Sequence, residues 1–259
     1  MSISSILANI YLSDADKKFL QKKNVEYFRY VDDILILCNE KDKHRLMNSI
    51  KKEFKDKLKL EVNEKEDQGL ITKGFDYLGY KYKKINKIKN IYGFSVKNRN
   101  LLKLENSLVE IFSDYKNNKN GQVFLWKLNL RITGFILDNK KYGWLFFYSQ
   151  IDDLSILYHL DWFINNKLCT INNIKPNVKK RIKKFVTTYF EIIKKRGRSN
   201  YIPRAEDFSI SEQKRILVDV FEFTSNTIES LSDEQIRIAF KNKMYISVKE
   251  LERDVQSIS

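Results

Sequence analysis

The stretch Val25-Glu26-Tyr27-Phe28-Arg29-Tyr30-Val31-Asp32-Asp33-Ile34-Leu35-Ile36-Leu37-Cys38 places two adjacent aspartates between two apolar runs. The flanking runs are rich in β-branched and aromatic residues, a composition that favours strands. Aspartates between two such strands predict a tight hairpin turn, because Asp forms local hydrogen bonds in turns. Carboxylates at a hairpin tip can also hold Mg²⁺, which takes one or two carboxylates and completes its shell with water and substrate phosphate. The pattern alone leaves two interpretations open, a surface turn and a metal site at Asp32 and Asp33.

The segments on either side of this hairpin have helical and extended patterns. Residues 4–22 predict a helix that Ser4 or Ser5 can cap, and residues 39–54 predict a second amphipathic helix. Residues 58–62 alternate apolar and charged side chains, as a one-faced strand does. Short strands are also predicted at residues 70–72 and 75–82. Gly79 inside the last of these indicates a bulge or a close backbone approach, with a simple packing glycine as the alternative.

Four segments, in this order along the chain, resemble the reverse transcriptase family. Tyr30-Val31-Asp32-Asp33 between apolar strands is similar to the family's catalytic hairpin. Residues 3–12, followed by Asp16 and Phe19, resemble its template- and nucleotide-contacting segment, with a plain amphipathic helix as the alternative. Residues 58–65 resemble the strand and loop that carry a lysine near the incoming nucleotide, and residues 75–80 resemble the primer-grip hairpin. The resemblance covers residues 2–82.

The resemblance implies an RNA-directed DNA polymerase that extends a primer by two-metal nucleotidyl transfer. Asp32 and Asp33 would hold Mg²⁺, and Lys65 would act near the triphosphate as an acid or a fixed positive charge. The expected partners are an RNA template, a DNA product and deoxynucleoside triphosphates. The residues expected to contact nucleotide or primer are Tyr30, Val31, Ser5, Asn9, Leu78 and Gly79.

The same resemblance implies that part of the active site is missing. The family's palm holds its metals with three carboxylates, and the first of them precedes the segment that starts this chain, as does a Gln-Gly pair. We therefore expect the C-terminal portion of a reverse transcriptase, completed by an N-terminal half in the same or a partner chain. The alternative is a catalytically inactive, reverse-transcriptase-like subunit that binds nucleic acid.

The predicted fold class is α+β, and three domains are expected. Residues 1–97 would form the C-terminal half of a polymerase palm, with a β-hairpin, a helix and short strands. Residues 98–200 would form a mostly helical thumb, and residues 201–259 a C-terminal helical region. Within the thumb, Arg131-Ile132-Thr133-Gly134-Phe135 and Tyr142-Gly143-Trp144 resemble bacterial defence-associated reverse transcriptases of the retron and abortive-infection group. That likeness implies a role in anti-phage defence.

The charge of the chain indicates a polyanionic partner. Its net charge is +15 and its isoelectric point is near 9.5. Nucleic acid is the usual partner of so basic a protein, although general use of lysine for solubility is an alternative. Residues 77–104 contain eight basic residues and no acid, interleaved with aromatics, and residues 175–198 contain ten basic residues and one acid. The residues predicted to contact nucleic acid are Lys81, Lys83, Lys84, Lys87, Lys89, Lys97, Arg99, Lys179, Lys180 and Lys183.

Two features limit the other function classes. The basic run at residues 175–198 is predicted to be one amphipathic helix, which would suit nucleic acid or an anionic membrane. The sequence shows no signal peptide and no apolar run near the length of a membrane span, so nucleic acid is preferred and a cytoplasmic location is expected. Cys38 and Cys169 form neither a metal-binding spacing nor a disulfide framework.

Overall fold

A computed structural model describes residues 3–62, 67–86, 88–171, 174–195 and 199–255, apart from the side chain of Ser5. The chain forms two compact units, Met1–Leu78 and Gly79–Ser259. Helices and small antiparallel sheets make up both units, which agrees with the predicted α+β class. None of the helices in the described ranges has the length and apolar character needed to cross a membrane.

The first unit is built around a helix and a hairpin. Helix α1 (Ile3–Leu20) precedes strands β1 (Val25–Tyr30) and β2 (Asp33–Cys38), helix α2 (Lys43–Asp56) follows them, and β3 (Phe75–Tyr77) lies near the end of the unit. The antiparallel register of β1 and β2 pairs Tyr30 with Asp33. This register confirms the predicted hairpin, but its two-residue turn is Val31-Asp32 rather than Asp32-Asp33.

Alternation along the hairpin determines which of its faces packs against the helices. Val25, Tyr27 and Ile36 lie on the packed face, and the ring of Tyr27 stacks on Phe19 of α1 with centroids 5.7 Å apart. Apolar residues spaced three or four apart on each helix supply the rest of the core. Its buried members are Leu12, Ala15, Phe19, Tyr27, Leu46, Ile50 and Phe54.

Three predicted strands of the first unit are wrong or shortened. The described residues of 58–62 contain no strand, because Lys59 has φ +53° and the Leu60 N–H donates to the Phe54 carbonyl at 3.0 Å. This hydrogen bond folds the chain back over the end of α2. Residues 71–73 form a 3₁₀ turn instead of a strand. The strand predicted at residues 75–82 is interrupted, since Leu78 and Gly79 have φ +48° and +81°.

The second unit contains two hairpins and nine helices within the described residues. Several of the helices from Trp144–Phe147 onward are very short. The elements are β4 (Tyr80–Asn86), β5 (Ile91–Val96), α3 (Asn98–Asn118), α4 (Gly121–Thr133), β6 (Phe135–Leu137), β7 (Lys140–Tyr142), α5 (Trp144–Phe147), α6 (Ser155–Cys169), α7 (Pro176–Lys180), α8 (Phe185–Lys195), α9 (Ile210–Asp219), α10 (Ser225–Ser230) and α11 (Asp233–Glu252). Strands β4 and β5 pair antiparallel, as do β6 and β7.

Helix α4 joins two hydrophobic cores of this unit. Its residues Phe124, Leu128 and Ile132 pack into a core shared with α3, α5, α6 and α8. Leu130 of the same helix packs with β6 and the helices α9, α10 and α11 in a second core. The apolar contacts of residues 201–255 therefore extend to α4 and β6, across the domain boundary predicted at residue 200.

Two predicted helices of the second unit are broken. The apolar pattern of residues 123–137 predicts one helix with Gly134 inside it, but the helix ends at Thr133, because Gly134 has φ +68° and ψ −168° and the chain continues as β6. The single helix expected at residues 175–198 is divided into α7 and α8. The Asp161 carboxylate accepts hydrogen bonds from the Phe185 and Val186 N–H groups, at 2.7 and 3.2 Å, and so caps the N-terminus of α8.

Gly134 and Gly143 lie back to back where α4 passes into the β6–β7 hairpin. A Cβ on Gly134 would lie 2.3 Å from the Tyr142 carbonyl oxygen, and a Cβ on Gly143 would lie 2.6 Å from Cα of Gly134. Both positions have positive φ, +68° and +127°. Only glycine fits the close approach and the backbone conformation at these positions.

Replacing Gly134 with Ala should lower the free energy of unfolding by about 2 kcal/mol or more, since it combines a steric clash with a backbone region almost restricted to glycine. Denaturant unfolding followed by circular dichroism measures this change. Gly69→Ala is the matched control, because its Cβ would meet no atom within 4 Å. Equal losses in the two variants would contradict this account of Gly134.

Candidate active site and nucleic-acid interface

The two aspartates lie at the exposed end of the hairpin. Asp32 is the second residue of the turn and Asp33 is the first residue of β2. Both residues are exposed. Within the described part of the chain, no hydrogen bond or ion pair occupies either carboxylate. As far as the described residues go, both carboxylates are therefore open to a ligand.

The outer face of the hairpin is aromatic and leads to Asp33. Residues directly opposite in an antiparallel pair share a face, so Tyr30 lies beside Asp33 and Phe28 beside Leu35. The side chains of Tyr30 and Phe28 are 63% and 47% exposed. A wide aromatic surface next to a carboxylate suits a ligand that carries both a planar ring and a metal-bound phosphate.

The chemistry of this carboxylate pair fits Mg²⁺. The ion takes one or two protein carboxylates and keeps water or phosphate oxygens for its other positions. Among the described residues, no group of three or more His, Cys, Asp or Glu side chains could hold a metal ion. The described part of the chain therefore supplies two carboxylates to such a site and no third.

Arg29 ties the hairpin to α1 from its packed face. Its Nε and Nη2 atoms donate to the two oxygens of Asp16, at 2.8 and 2.5 Å, in a bidentate pair. Its Nη1 donates to the Val31 carbonyl at 2.6 Å and to Asn9 Oδ1 at 3.0 Å. Tyr27 adds a hydrogen bond from its hydroxyl to Asp16 Oδ1 at 2.9 Å. The Arg29 side chain is 8% exposed, so this network is shielded from solvent.

The network shifts the pKa of each of its members. Hydrogen bonds from Arg29 hold the pKa of Asp16 below its usual value, against the opposing effect of burial. The same bonds raise the pKa of Arg29. Burial, and then the neighbouring Asp16, raise the pKa of Tyr27. At neutral pH the network is therefore a charged pair with a neutral tyrosine.

The other residues predicted to contact nucleotide or primer are found in varied settings. Asn9 is exposed on α1, and its side chain accepts from Arg29. Gly79 is buried, and its carbonyl accepts from the Lys97 N–H at 3.4 Å. Leu78 is half-buried at the end of the first unit. Lys65, Lys87 and the side chain of Ser5 lie outside the described residues, so their predicted roles stay predictions.

The basic β4–β5 hairpin has two different faces. Tyr82 lies opposite Phe94, and Lys84 lies opposite Tyr92, so these residues share one face. On this face the rings of Tyr82 and Tyr92 stack with centroids 5.8 Å apart, and Lys84 Nζ lies 5.7 Å from the Tyr92 ring centre. Phe94 is 42% exposed. This surface, which we call the aromatic face, combines exposed ring edges with positive charge.

Two of the predicted nucleic-acid contacts are already engaged within the protein. Lys83 Nζ lies 2.7 Å from Asp153 Oδ2, and Asp153 is 8% exposed at its side chain. Lys183 Nζ donates to the Tyr201 carbonyl at 2.5 Å and lies over the Tyr201 ring, and burial lowers its pKa. Lys84, Lys89, Arg99, Lys179 and Lys180 are exposed, while Lys81 and Lys97 are half-buried.

The sequence patterns gave no role to Arg29 or Asp153. A signal for Arg29 was present, because the alternation Val25, Tyr27, Arg29 places a charged side chain on the packed face of a strand. A buried charge requires a partner of opposite sign, and Asp16 is an acidic residue of the preceding helix. Asp153 had no such local signal, since it pairs with a lysine 70 positions earlier in the chain.

A comparison with known protein families gave a match in the N-terminal part of the chain. The family model of reverse transcriptase (RNA-dependent DNA polymerase) matches residues 1–82. A search of curated proteins found no match. The family match indicates polymerase-type nucleotidyl transfer for this third of the chain, with nucleic acid and nucleotides as the substrates of the family and divalent metal ions as its general requirement.

Replacing Asp16 with Asn should lower the free energy of unfolding at neutral pH by about 3 kcal/mol, because Arg29 keeps a shielded charge without its partner. The pKa of Asp16 is lowered in the folded state, so its contribution is present above about pH 4 and is lost as pH falls through the folded pKa. The difference between wild type and variant should therefore shrink below that pH, as measured by denaturant unfolding at several pH values.

Asp14→Asn is the control for this measurement, since Asp14 lies on the same helix with a 90% exposed side chain. Its effect should be within about 0.5 kcal/mol at every pH. A difference between wild type and Asp16→Asn that does not change with pH would contradict the assignment of the carboxylate as the stabilising partner.

Proposed function

We propose that this chain supplies part of the active site of an RNA-directed DNA polymerase that extends a primer by two-metal nucleotidyl transfer. Asp32 and Asp33 would hold Mg²⁺. The observation that carries the proposal is the free carboxylate pair at the end of a hairpin fixed by Arg29 and Asp16. The family match over the same residues supports it.

Each residue of the hairpin has a distinct part in this proposal. Asp32 and Asp33 would hold the metal, which would stabilise the charge that develops on the transferred phosphoryl group. Tyr30 would offer its exposed ring beside Asp33 to the sugar or base of the primer end or the nucleotide. Lys65 would neutralise charge on the triphosphate of the nucleotide.

The described residues also support a requirement for a further polypeptide segment. The proposed chemistry uses three carboxylates, and the described part of the chain supplies two at the hairpin. We propose that an N-terminal half, in the same or a partner chain, supplies the third. The two-carboxylate site equally favours a second candidate, a reverse-transcriptase-like subunit that binds nucleic acid without catalysis. Primer extension by this chain, with and without that half, distinguishes these candidates.

The aromatic face and the exposed lysines beside it are the proposed contact for RNA template and DNA product. Lysines neutralise phosphates, and aromatic rings stack on bases with little dependence on sequence. Lys84 and Lys89 are exposed on β4 and on the turn that follows it. Lys83 and Lys183 are excluded from this proposed contact because Asp153 and Tyr201 already engage them.

The proposed biological setting is bacterial anti-phage defence in the cytoplasm. Its support is the resemblance of residues 131–135 and 142–144 to the thumb of defence-associated reverse transcriptases. Phage plating on cells that carry the gene, its Asp32→Asn variant or neither tests this setting. Equal plating efficiency on all three strains would contradict it.

Replacing Asp32 with Asn should weaken Mn²⁺ binding by about tenfold or more, since it removes one of two charged ligands. The affinity is measured by NMR on the full chain, from the broadening that Mn²⁺ causes in the Asp33 amide signal. We expect this loss of affinity without a loss of stability, because Asn serves turns as well as Asp does. Primer extension in the presence of the N-terminal half should be lost in the same variant.

The control for this variant is Asp56→Asn, an exposed carboxylate at the end of α2. It should leave Mn²⁺ binding and primer extension at the wild-type level. Wild-type activity in Asp32→Asn would show that the pair only forms a turn and would refute the proposed function.

Replacing Lys84 and Lys89 together with Gln should lower the salt dependence of nucleic-acid binding. Each phosphate contact contributes about 0.9 to the slope of log affinity against log salt on duplex DNA, so the slope should fall by about 1.8. Fluorescence anisotropy of a labelled duplex over a range of salt concentrations measures it. Lys116→Gln with Lys119→Gln makes the same change in net charge at exposed positions near the end of α3. Equal slopes in the two double variants would show that the effect is one of net charge alone.

A further inference from the structure

The turn that carries Asp32 has an unusual backbone. Val31 has φ +56°, a conformation that is rare and strained for a β-branched residue. Asp32 is not among the non-glycine residues with positive φ. A type I′ turn has positive φ at both turn residues, so this turn departs from that type at Asp32.

The sign of φ at Asp32 depends on the orientation of one peptide group. The group lies between Val31 and Asp32, and rotating it by about half a turn changes φ at Asp32 from negative to positive. Aspartate tolerates positive φ, so the sequence alone allows both orientations. The direction of the Asp32 side chain differs between them, because the rotation changes φ at Asp32.

Arg29 contacts this peptide group directly. Its Nη1 atom donates to the Val31 carbonyl oxygen at 2.6 Å. The guanidinium is planar, and its other two nitrogens are held by the two oxygens of Asp16 at 2.8 and 2.5 Å. The position of the donor is therefore fixed by α1, and rotation of the peptide group would remove one of the two acceptors of Nη1, leaving only Asn9 Oδ1. Such a loss is costly.

We propose that Arg29, held by Asp16, is a positioning residue that selects the orientation of the Val31–Asp32 peptide group and so sets the direction of the Asp32 carboxylate relative to Asp33. This inference rests on the proposed function for its metal-binding consequence. The part that concerns the turn itself is independent of that function.

A lysine cannot replace Arg29 in this role. It carries the same charge, but one ammonium group lacks the planar fork that contacts a carboxylate bidentately and a carbonyl at the same time. Arg29→Lys therefore retains an ion pair with Asp16 while it weakens the fixed contact to Val31. Asp16→Asn is a second variant. It removes the charge of the partner, but its amide oxygen still accepts from Arg29, so the contact to the Val31 carbonyl is disturbed less than in Arg29→Lys.

The test is NMR on the full chain labelled with [¹⁵N]aspartate. The three-bond HN–Hα coupling of Asp32 reports its φ, and the residual dipolar coupling of its N–H reports the orientation of the peptide group. Both should depart from the wild-type values in Arg29→Lys, and to a smaller extent in Asp16→Asn. Thermal melting of each variant establishes that it is folded at the temperature of the NMR measurement.

The matched control is Glu53→Gln. Glu53 joins α2 to Lys18 of α1 by an ion pair in the same unit and is buried, but it does not contact the turn. Its loss should leave both couplings of Asp32 at their wild-type values. Changes in Glu53→Gln equal to those in Arg29→Lys would overturn the proposal, because any weakening of the unit would then disturb the turn.

Mn²⁺ affinity in the same variants tests the consequence for the metal. Loss of a group that orients a metal ligand commonly lowers affinity by about tenfold or more, so Arg29→Lys should show such a loss and Glu53→Gln none.

Unchanged Asp32 couplings in Arg29→Lys would overturn the claim that Arg29 selects the orientation of the Val31–Asp32 peptide group. Changed couplings with unchanged affinity would overturn the positioning of the carboxylate. A wild-type chain that does not bind Mn²⁺ would instead refute the proposed function, and the couplings would still test the turn.

Discussion

The bidentate pair between Arg29 and Asp16 is the contact on which the aspartate hairpin depends. An isolated two-stranded hairpin is only marginally stable in water, and apolar packing against α1 and α2 fixes its body but not its tip. The guanidinium extends this attachment to the turn through the Val31 carbonyl. Because the pair is shielded from solvent, its strength depends on geometry more than on salt concentration. The turn beside the two exposed carboxylates is thus contacted from the packed side of the strand.

The second unit holds its basic hairpin by a comparable arrangement. Asp153 accepts from Lys83 and from the Ser95 hydroxyl, at 2.7 and 2.9 Å. Burial alone would raise the pKa of this carboxyl, but the hydrogen bonds outweigh burial and hold the pKa below its usual value. The neighbouring Asp152 accepts from the Phe94 N–H at 2.8 Å. One lysine of the basic run therefore anchors the hairpin from inside, while the aromatic face and Lys84 remain toward solvent. A basic run in a sequence can thus contain both lysines that pair within the protein and lysines that stay exposed.

The sequence predicted the elements whose patterns are local and missed those that depend on distant partners. The β1–β2 hairpin, the α+β class and helix α2 follow from strand composition, turn residues and helical periodicity. The break between α7 and α8 could not be predicted in this way, because Asp161 of another helix caps α8. The alternation at residues 58–62 suggested a strand, but the hydrogen bond that closes α2 prevents one. At the candidate site, Asp32 and Asp33 were recognisable as a motif, whereas the pairing of Arg29 with Asp16 could be identified only from the folded structure.

The back-to-back glycines constrain how this sequence can vary among related chains. Gly143 has no room for a Cβ because Gly134 occupies that space, and Gly134 has none because of the Tyr142 carbonyl. A substitution at either position cannot be compensated by reducing the other, since both are already the smallest residue. Chains that retain the passage from α4 into the β6–β7 hairpin should therefore carry glycine at both positions, and chains that lack one should lack the hairpin as well. This pair of positions can serve as a marker of the second unit in sequences too divergent to align by their helices.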